Sequence, residues 1–188
     1  MFVNAWNAKP ADDDLLVMCP TTPPVTPPAF SVAVTNSRPH RSGAVLHTLC
    51  PRLPLQDLQV LVLHPIDDIF RTPPRWSIAA SFGHAQNLRV LCVLGRLWYT
   101  VLHELSLAED GAILFPRLEE LRLLEFSRLA LRQGLAAPLT SCLAARRRAS
   151  PRWRLRKLVL VDSEVARWRH PMALPSGLVD DVICLDSR

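Results

Sequence analysis

Seven of the chain's 22 Lys and Arg residues fall between Arg146 and Lys157. Arginines at this density can hold phosphate or carboxylate oxygens, and such runs also act as nuclear import addresses. Arg146, Arg147, Arg148, Arg152, Arg154 and Arg156 are therefore the candidate anion-binding set. Trp153, inside the run, offers a ring face on which a base could stack. A plainer reading competes. The Arg146–Arg148 triplet ends a helical stretch, where cations suit the negative end of the helix dipole, and the later arginines then line a solvated rim.

Other chemistry is thin. His47 and Cys50 are three residues apart on a predicted helix, but Cys50 falls on its apolar face, and no oxyanion-hole loop accompanies the pair. His40, His64, His84, His103 and His170 are scattered, without the spacing of metal ligands. Glu119 and Glu120 are neighbours on a predicted strand and so point to opposite faces, which excludes a shared carboxylate dyad. The six glycines form no phosphate-binding loop. No catalytic, cofactor-binding or metal residue is assigned, and the chain reads as a non-enzyme without a cofactor.

These side chains need elements to position them, and the elements repeat. Leu118, Leu121 and Leu123 form the pattern L-x-x-L-x-L. Leu88, Leu91 and Val93 show it thirty residues earlier, and Leu58, Leu61 and Leu63 thirty before that. Leu155, Leu158 and Leu160 show it again, thirty-seven residues after Leu118. Such a period marks a repeat architecture. Strands are predicted at 58–63, 88–93, 118–123 and 155–160, with a further short one at 182–185. Phe30–Val34 alternates like a strand and counts as an earlier, degenerate unit.

Helical segments fill the gaps. Ser42 opens one carrying Val45, Leu46 and Leu49, and Ser77 caps another carrying Ile78 and Phe82. Leu97, Trp98, Val101, Leu102 and Leu105 make a third. Pro138 suits the first turn of a fourth, with Leu139, Cys142 and Leu143. Alternating helices and strands imply a parallel sheet. The expected fold class is α/β: a short leucine-rich-repeat-like solenoid with a parallel sheet on one face and helices on the other.

Residues 1–28 read as an acidic, proline-rich N-terminal arm, either a spacer or the cut end of a repeat. A short helix is expected at 12–19 and an extended connector at 20–28, and residues 29–188 form the repeat domain. Net charge is +5, apolar residues make up 49% and charged residues 21%, a folding composition. The apolar runs are too short to span a bilayer, and the N-terminus lacks the apolar core of a signal peptide. Five cysteines without a C-x-x-C pair suggest reduced thiols and an intracellular, cytoplasmic or nuclear protein.

The strand residues facing away from the helices are Val60, Val62, His64, Val90, Cys92, Leu94, Glu120, Arg122, Leu124, Lys157, Val159 and Val161. Eight of these twelve are apolar. Left open, such a face would bind a protein partner; covered, it would be the second buried face of an ordinary parallel sheet. Both readings stand at this point.

The stretches "LPLQDLQVLVL", "FGHAQNLRVLCVLG" and "ILFPRLEELRLLEF" resemble the degenerate leucine-rich repeats that follow F-box motifs in mushroom-forming basidiomycete fungi. The stretch "LTSCLAARRRASPRWRLRKLVLVD" and the tail "LVDDVICLD" are similar. No F-box-like segment is visible. The resemblance implies non-catalytic target recognition, as in a ubiquitin-ligase substrate receptor of F-box type or a stand-alone relative. The competing expectations are a nucleic-acid or nuclear module using Arg146–Lys157, or a gene fragment without a retained role.

Overall fold

Leu58, Leu88 and Leu118 each donate their backbone amide to the carbonyl three residues back, on Leu55, Ala85 and Phe115, at 3.0, 3.2 and 3.1 Å. The same tight turn thus recurs every thirty residues. A second backbone feature recurs immediately after it. The amides of Arg89 and Val90 both donate to the Gln59 carbonyl, those of Glu119 and Glu120 to Arg89, and those of Arg156 and Lys157 to Glu119. Two consecutive amides on one carbonyl form a bulge-like step. In an unbroken strand, residues three apart face opposite sides. The step shifts the phase, so Leu88 reaches the same core as Leu91 and Val93, and Leu118 the same core as Leu121 and Leu123. The pattern L-x-x-L-x-L is a turn, a step and a strand.

The computed structural model describes residues 2–6, 30–33, 48, 50–64, 77–106, 108–109, 112–124, 134–161 and 177–185. The strands are β1 (Phe2–Trp6), β2 (Phe30–Ala33), β3 (Val60–His64), β4 (Val90–Leu94), β5 (Ala108–Glu109), β6 (Ala112–Ile113), β7 (Glu120–Leu124), β8 (Leu155–Val161) and β9 (Val179–Leu185). Helices α1 (Ile78–Phe82), α2 (Trp98–Ser106) and α3 (Ala136–Ala149) lie between them. One sheet has the order β2-β1-β3-β4-β7-β8-β9, and β3, β4, β7, β8 and β9 run parallel. Strands β5 and β6 form a small separate antiparallel pair. The predicted helix at 12–19, the connector at 20–28 and most of the helix from Ser42 lie outside the described residues.

The sheet's first edge differs from expectation. Strand β2 was expected to be an earlier repeat unit beside β3, yet β1 occupies that position, running antiparallel from Phe2 opposite His64 to Trp6 opposite Val60. Strand β2 pairs antiparallel with β1 beyond it, Val32 opposite Val3. The start of the expected arm is thus part of the sheet.

On the helix side the units stack in register, Leu61 beside Leu91, Leu121 and Leu158. Ile78, Phe82, Trp98, Val101, Leu102, Leu105, Leu139, Cys142 and Leu143 pack against them from the helices. Ser77 caps α1 as expected, its Oγ accepting from the Ala80 amide at 3.2 Å. That hydroxyl also donates to Glu104 Oε2 of α2 at 2.9 Å, so the two helices are joined at this point. Burying each Leu-class side chain is worth roughly 1.5–3 kcal/mol. Leu121, 1% exposed at the centre of the stack, is the most informative truncation. Leu121→Ala should lose about 2–5 kcal/mol in chemical denaturation, the range for a central core cavity. An unchanged denaturation midpoint would place this unit outside the core.

The opposite face of the sheet is not open. Val60, Val62, Val90, Cys92, Leu94, Glu120, Arg122, Leu124, Val159 and Val161 are all buried, none more than 4% exposed. Lys157 is half-buried, and the His64 side chain lies outside the described ones. The apolar members form a second cluster, joined by Ile183 and Leu185, to which no described helix contributes. Strands β3, β4 and β7 and the second half of β8 are therefore buried on both faces, which accounts for their near-continuous apolar sequence. These ten residues are corrected from a surface presented to a partner to a buried layer.

Candidate functional site

One row of residues lines up across the starts of four parallel strands, just before β4 and β7 and at the second position of β8 and β9. The register places Arg89 beside Glu119, Glu119 beside Arg156, and Arg156 beside Asp180. Charges along this row alternate. Arg89 Nη1 lies 3.6 Å from Glu119 Oε1, and Arg156 Nη1 lies 3.3 Å from Glu119 Oε2. Arg154 Nη1 reaches Asp180 Oδ1 at 3.3 Å. These pairs are exposed and add little stability. Their effect is to order the guanidinium groups along one edge.

Above the row lies a groove of about 490 Å³, lined also by Pro116, Arg117, Leu118, Ser150, Arg152 and Trp153. Five arginines face two carboxylates in its lining. Arg117 and Arg152 are exposed and have no ion-pair or hydrogen-bond partner among the described residues. The groove combines fixed, internally paired cations with two that are available to a ligand.

Arg146 anchors the backbone beneath the groove. It is 1% exposed, at the last turn of α3. Its Nη1 donates to the Leu114 carbonyl at 2.6 Å and its Nη2 to the Phe115 carbonyl at 2.8 Å. The guanidinium carbon lies 4.5 Å from the centre of the Trp153 ring, a cation–π contact. Trp153 Nε1 in turn donates to the Leu118 carbonyl at 3.1 Å. Phe115 has a φ of +52°, a left-handed backbone that a bulky residue rarely adopts. Arg146 thus holds a strained turn and joins both walls of the groove. Burial lowers its pKa to about 10, offset in part by the neighbouring Cys142, and it is charged at neutral pH.

Comparison with protein-family models, with curated proteins and with solved structures finds no match.

The basic run expected to act as one anion-binding set is dispersed by the structure. Arg146 is corrected from a ligand-facing residue to a buried structural one, because it is 1% exposed and its Nη1 and Nη2 donate to backbone carbonyls. Arg147 Nη1 donates to the carbonyl of Gly177, whose φ of +83° favours glycine, and so fixes the approach to β9. Arg148 lies with Thr140, Ser141 and Ala144 on the outer side of α3. Only Arg152, Arg154 and Arg156 enter the groove. Trp153 is 8% exposed and carries Arg146 on its ring, so it offers no open face to a base.

Arg89, Arg117, Glu119 and Asp180 complete the surface and were not among the residues singled out for anion binding. A signal for three of them was available. Aligning the residue after the first leucine of the patterns that start at Leu88, Leu118 and Leu155 gives Arg89, Glu119 and Arg156, and the same place in the tail gives Asp180, an alternation that is invisible when the chain is read linearly.

Among the described residues, no group of three or more His, Cys, Asp or Glu side chains could hold a metal ion. No described helix is long and apolar enough to cross a membrane. Cys50, Cys92 and Cys142 are buried and Cys184 is exposed. Burial pushes the Cys50 thiol up to about 11 and the Cys142 thiol to about 12, the latter against an opposing pull from Arg146. Thiolate, the reactive form, is therefore scarce in the native core at neutral pH. Of these four cysteines, Cys184 should be alkylated first by iodoacetamide, as mass spectrometry would read, and equal labelling of Cys142 would contradict its burial.

The same shifts set an alkaline limit. Each thiol has a folded pKa above the ordinary thiol value of 9.0, so the stability tied to its neutral form is intact below pH 9 and is lost as pH rises toward 11 and 12. Arg146 acts oppositely above about pH 10, where the unfolded chain holds the proton that the folded one loses. The melting temperature should therefore fall from pH 8 to pH 10.

Proposed function

We propose that the chain is a non-catalytic protein-binding repeat module. In this reading the finer fold is a short leucine-rich-repeat-like solenoid, and the role that goes with it is target recognition. The setting would be an F-box-type ubiquitin-ligase receptor or a stand-alone relative. The observation that carries the reading is the row Arg89, Glu119, Arg156 and Asp180, to which successive units each contribute one side chain. Stacked units that contribute equivalent positions build the extended surfaces by which repeat proteins bind partners. The groove replaces the strand face as the proposed contact, because that face is buried.

A peptide array of mixed composition, probed with the full chain and with an Arg117→Glu, Arg152→Glu variant, tests the reading. Wild type should retain a subset of peptides that the variant releases, at unchanged melting temperature. Retention by neither protein, or identical retention by both, would overturn it.

A further inference from the structure

We propose that the groove at the strand starts binds an extended acidic peptide, whose carboxylates engage Arg117 and Arg152. The proposal rests on the protein-binding reading and adds the chemistry of the partner.

The two cations differ from the other arginines in the lining. Arg89 and Arg156 are engaged by Glu119, and Arg154 by Asp180, whereas Arg117 and Arg152 are exposed and have no ion-pair partner among the described residues. Guanidinium groups recognise carboxylates through paired N–H donors, and such charge-assisted bonds are stronger than neutral ones. Their backbones are also pre-positioned. Arg117 comes just after the turn whose carbonyls Arg146 holds, and Arg152 precedes Trp153, which lies against the same guanidinium. A ligand that meets a fixed backbone gives up less conformational freedom on binding.

The two acidic residues in the lining decide between anionic partners. A nucleic-acid strand carries a phosphate at every nucleotide, so its charge runs without interruption across Glu119 and Asp180. An extended peptide presents side chains to one face every second residue, about 6.6–6.8 Å apart. It can set carboxylates over the arginines and leave neutral residues, or its own N–H groups, over the carboxylates. Single-strand binding also gains from aromatic platforms, and here the Trp153 ring is covered by Arg146. The groove volume of about 490 Å³ lies within the range of ligand-binding clefts.

Fluorescence anisotropy on the full chain tests this with three labelled probes: a Glu-Gly alternating peptide, a Lys-Gly peptide of equal length, and a single-stranded oligonucleotide of equal charge. The acidic peptide should bind tightest, and more weakly as salt rises from about 50 to 200 mM, because exposed charges are screened. Arg117→Ala with Arg152→Ala should weaken it about tenfold, equivalent to about 1.4 kcal/mol, without a change in melting temperature. Glu119→Gln should tighten it, because Arg89 and Arg156 then face the ligand unopposed. Acidic and basic peptides binding alike would overturn the proposal. If the array still shows groove-dependent capture of other peptides, the protein-binding reading survives that result. Tighter binding of the oligonucleotide, with no groove-dependent peptide on the array, would overturn both.

Discussion

Replacing Arg122 by methionine is expected to cost about 3–5 kcal/mol of folding stability, the range for removing one partner of a buried ion pair. Arg122 and Glu120 lie two residues apart on β7 and face the same enclosed side of the sheet, each 2% exposed in its side chain. Arg122 Nε and Nη2 both lie 2.7 Å from Glu120 Oε1, and Lys157 Nζ of the neighbouring strand lies 3.9 Å away. Methionine keeps much of the arginine's volume but removes the charge, so the Glu120 carboxylate is left among Val90, Val159 and their neighbours without its nearest cation.

The double variant Glu120→Leu, Arg122→Met should recover most of that loss. Two charges buried together are costly to desolvate, and a well-packed apolar pair is often at least as stable. Urea denaturation of the two single variants and the double variant gives the coupling directly. A double variant as unstable as Arg122→Met would show that the pair does more than neutralise itself. An Arg122→Met variant of wild-type stability would mean that the face is wet.

That the sheet has two buried faces was legible in part. Val60, Val62, Val90 and Val159 are apolar at positions pointing away from the helices, a pattern equally suited to a covered sheet and an open binding surface. Periodicity cannot separate these cases, because it records which side chains avoid water and not what excludes it. The leucine spacing, in contrast, specified the helix-side core correctly at Leu61, Leu91, Leu121 and Leu158. It placed the strand starts two residues early in three units, since β3, β4 and β7 begin at Val60, Val90 and Glu120. The first leucine belongs to the turn and not to the strand, and the bulge-like step hides this by restoring its inward direction.

Strand β1 lay beyond such reasoning for another reason. It joins the sheet through antiparallel backbone pairing with β3 and lies outside the thirty-residue repeat. Backbone hydrogen bonds depend little on side-chain identity, and they leave no periodic signature in five residues. The dispersal of the basic run was hidden similarly. Neighbouring arginines on a helix end point in different directions, so Arg146 and Arg147 separate into a buried clamp and a surface contact although they are adjacent in sequence.

Arg146 therefore carries the second large effect. Arg146→Met should destabilise the fold by about 3–6 kcal/mol. The Leu114 carbonyl loses its donor, at roughly 1–3 kcal/mol, the Phe115 carbonyl keeps only the Leu118 amide, at roughly 0.5–1.5 kcal/mol, and the Trp153 ring loses its cation. Arg146→Lys should recover only part of this, because a single ammonium cannot present the planar fork that reaches the Leu114 and Phe115 carbonyls together. Without that fork the left-handed Phe115 has less to hold it, and the turn should relax along with the Arg117 lip it supports. Denaturation midpoints order the three proteins, and acidic-peptide affinity well below the melting point reads the groove separately. Loss of affinity in Arg146→Lys while the chain remains folded would tie the clamp to binding. Affinity unchanged in that variant would confine Arg146 to the core, where its contribution is stability alone.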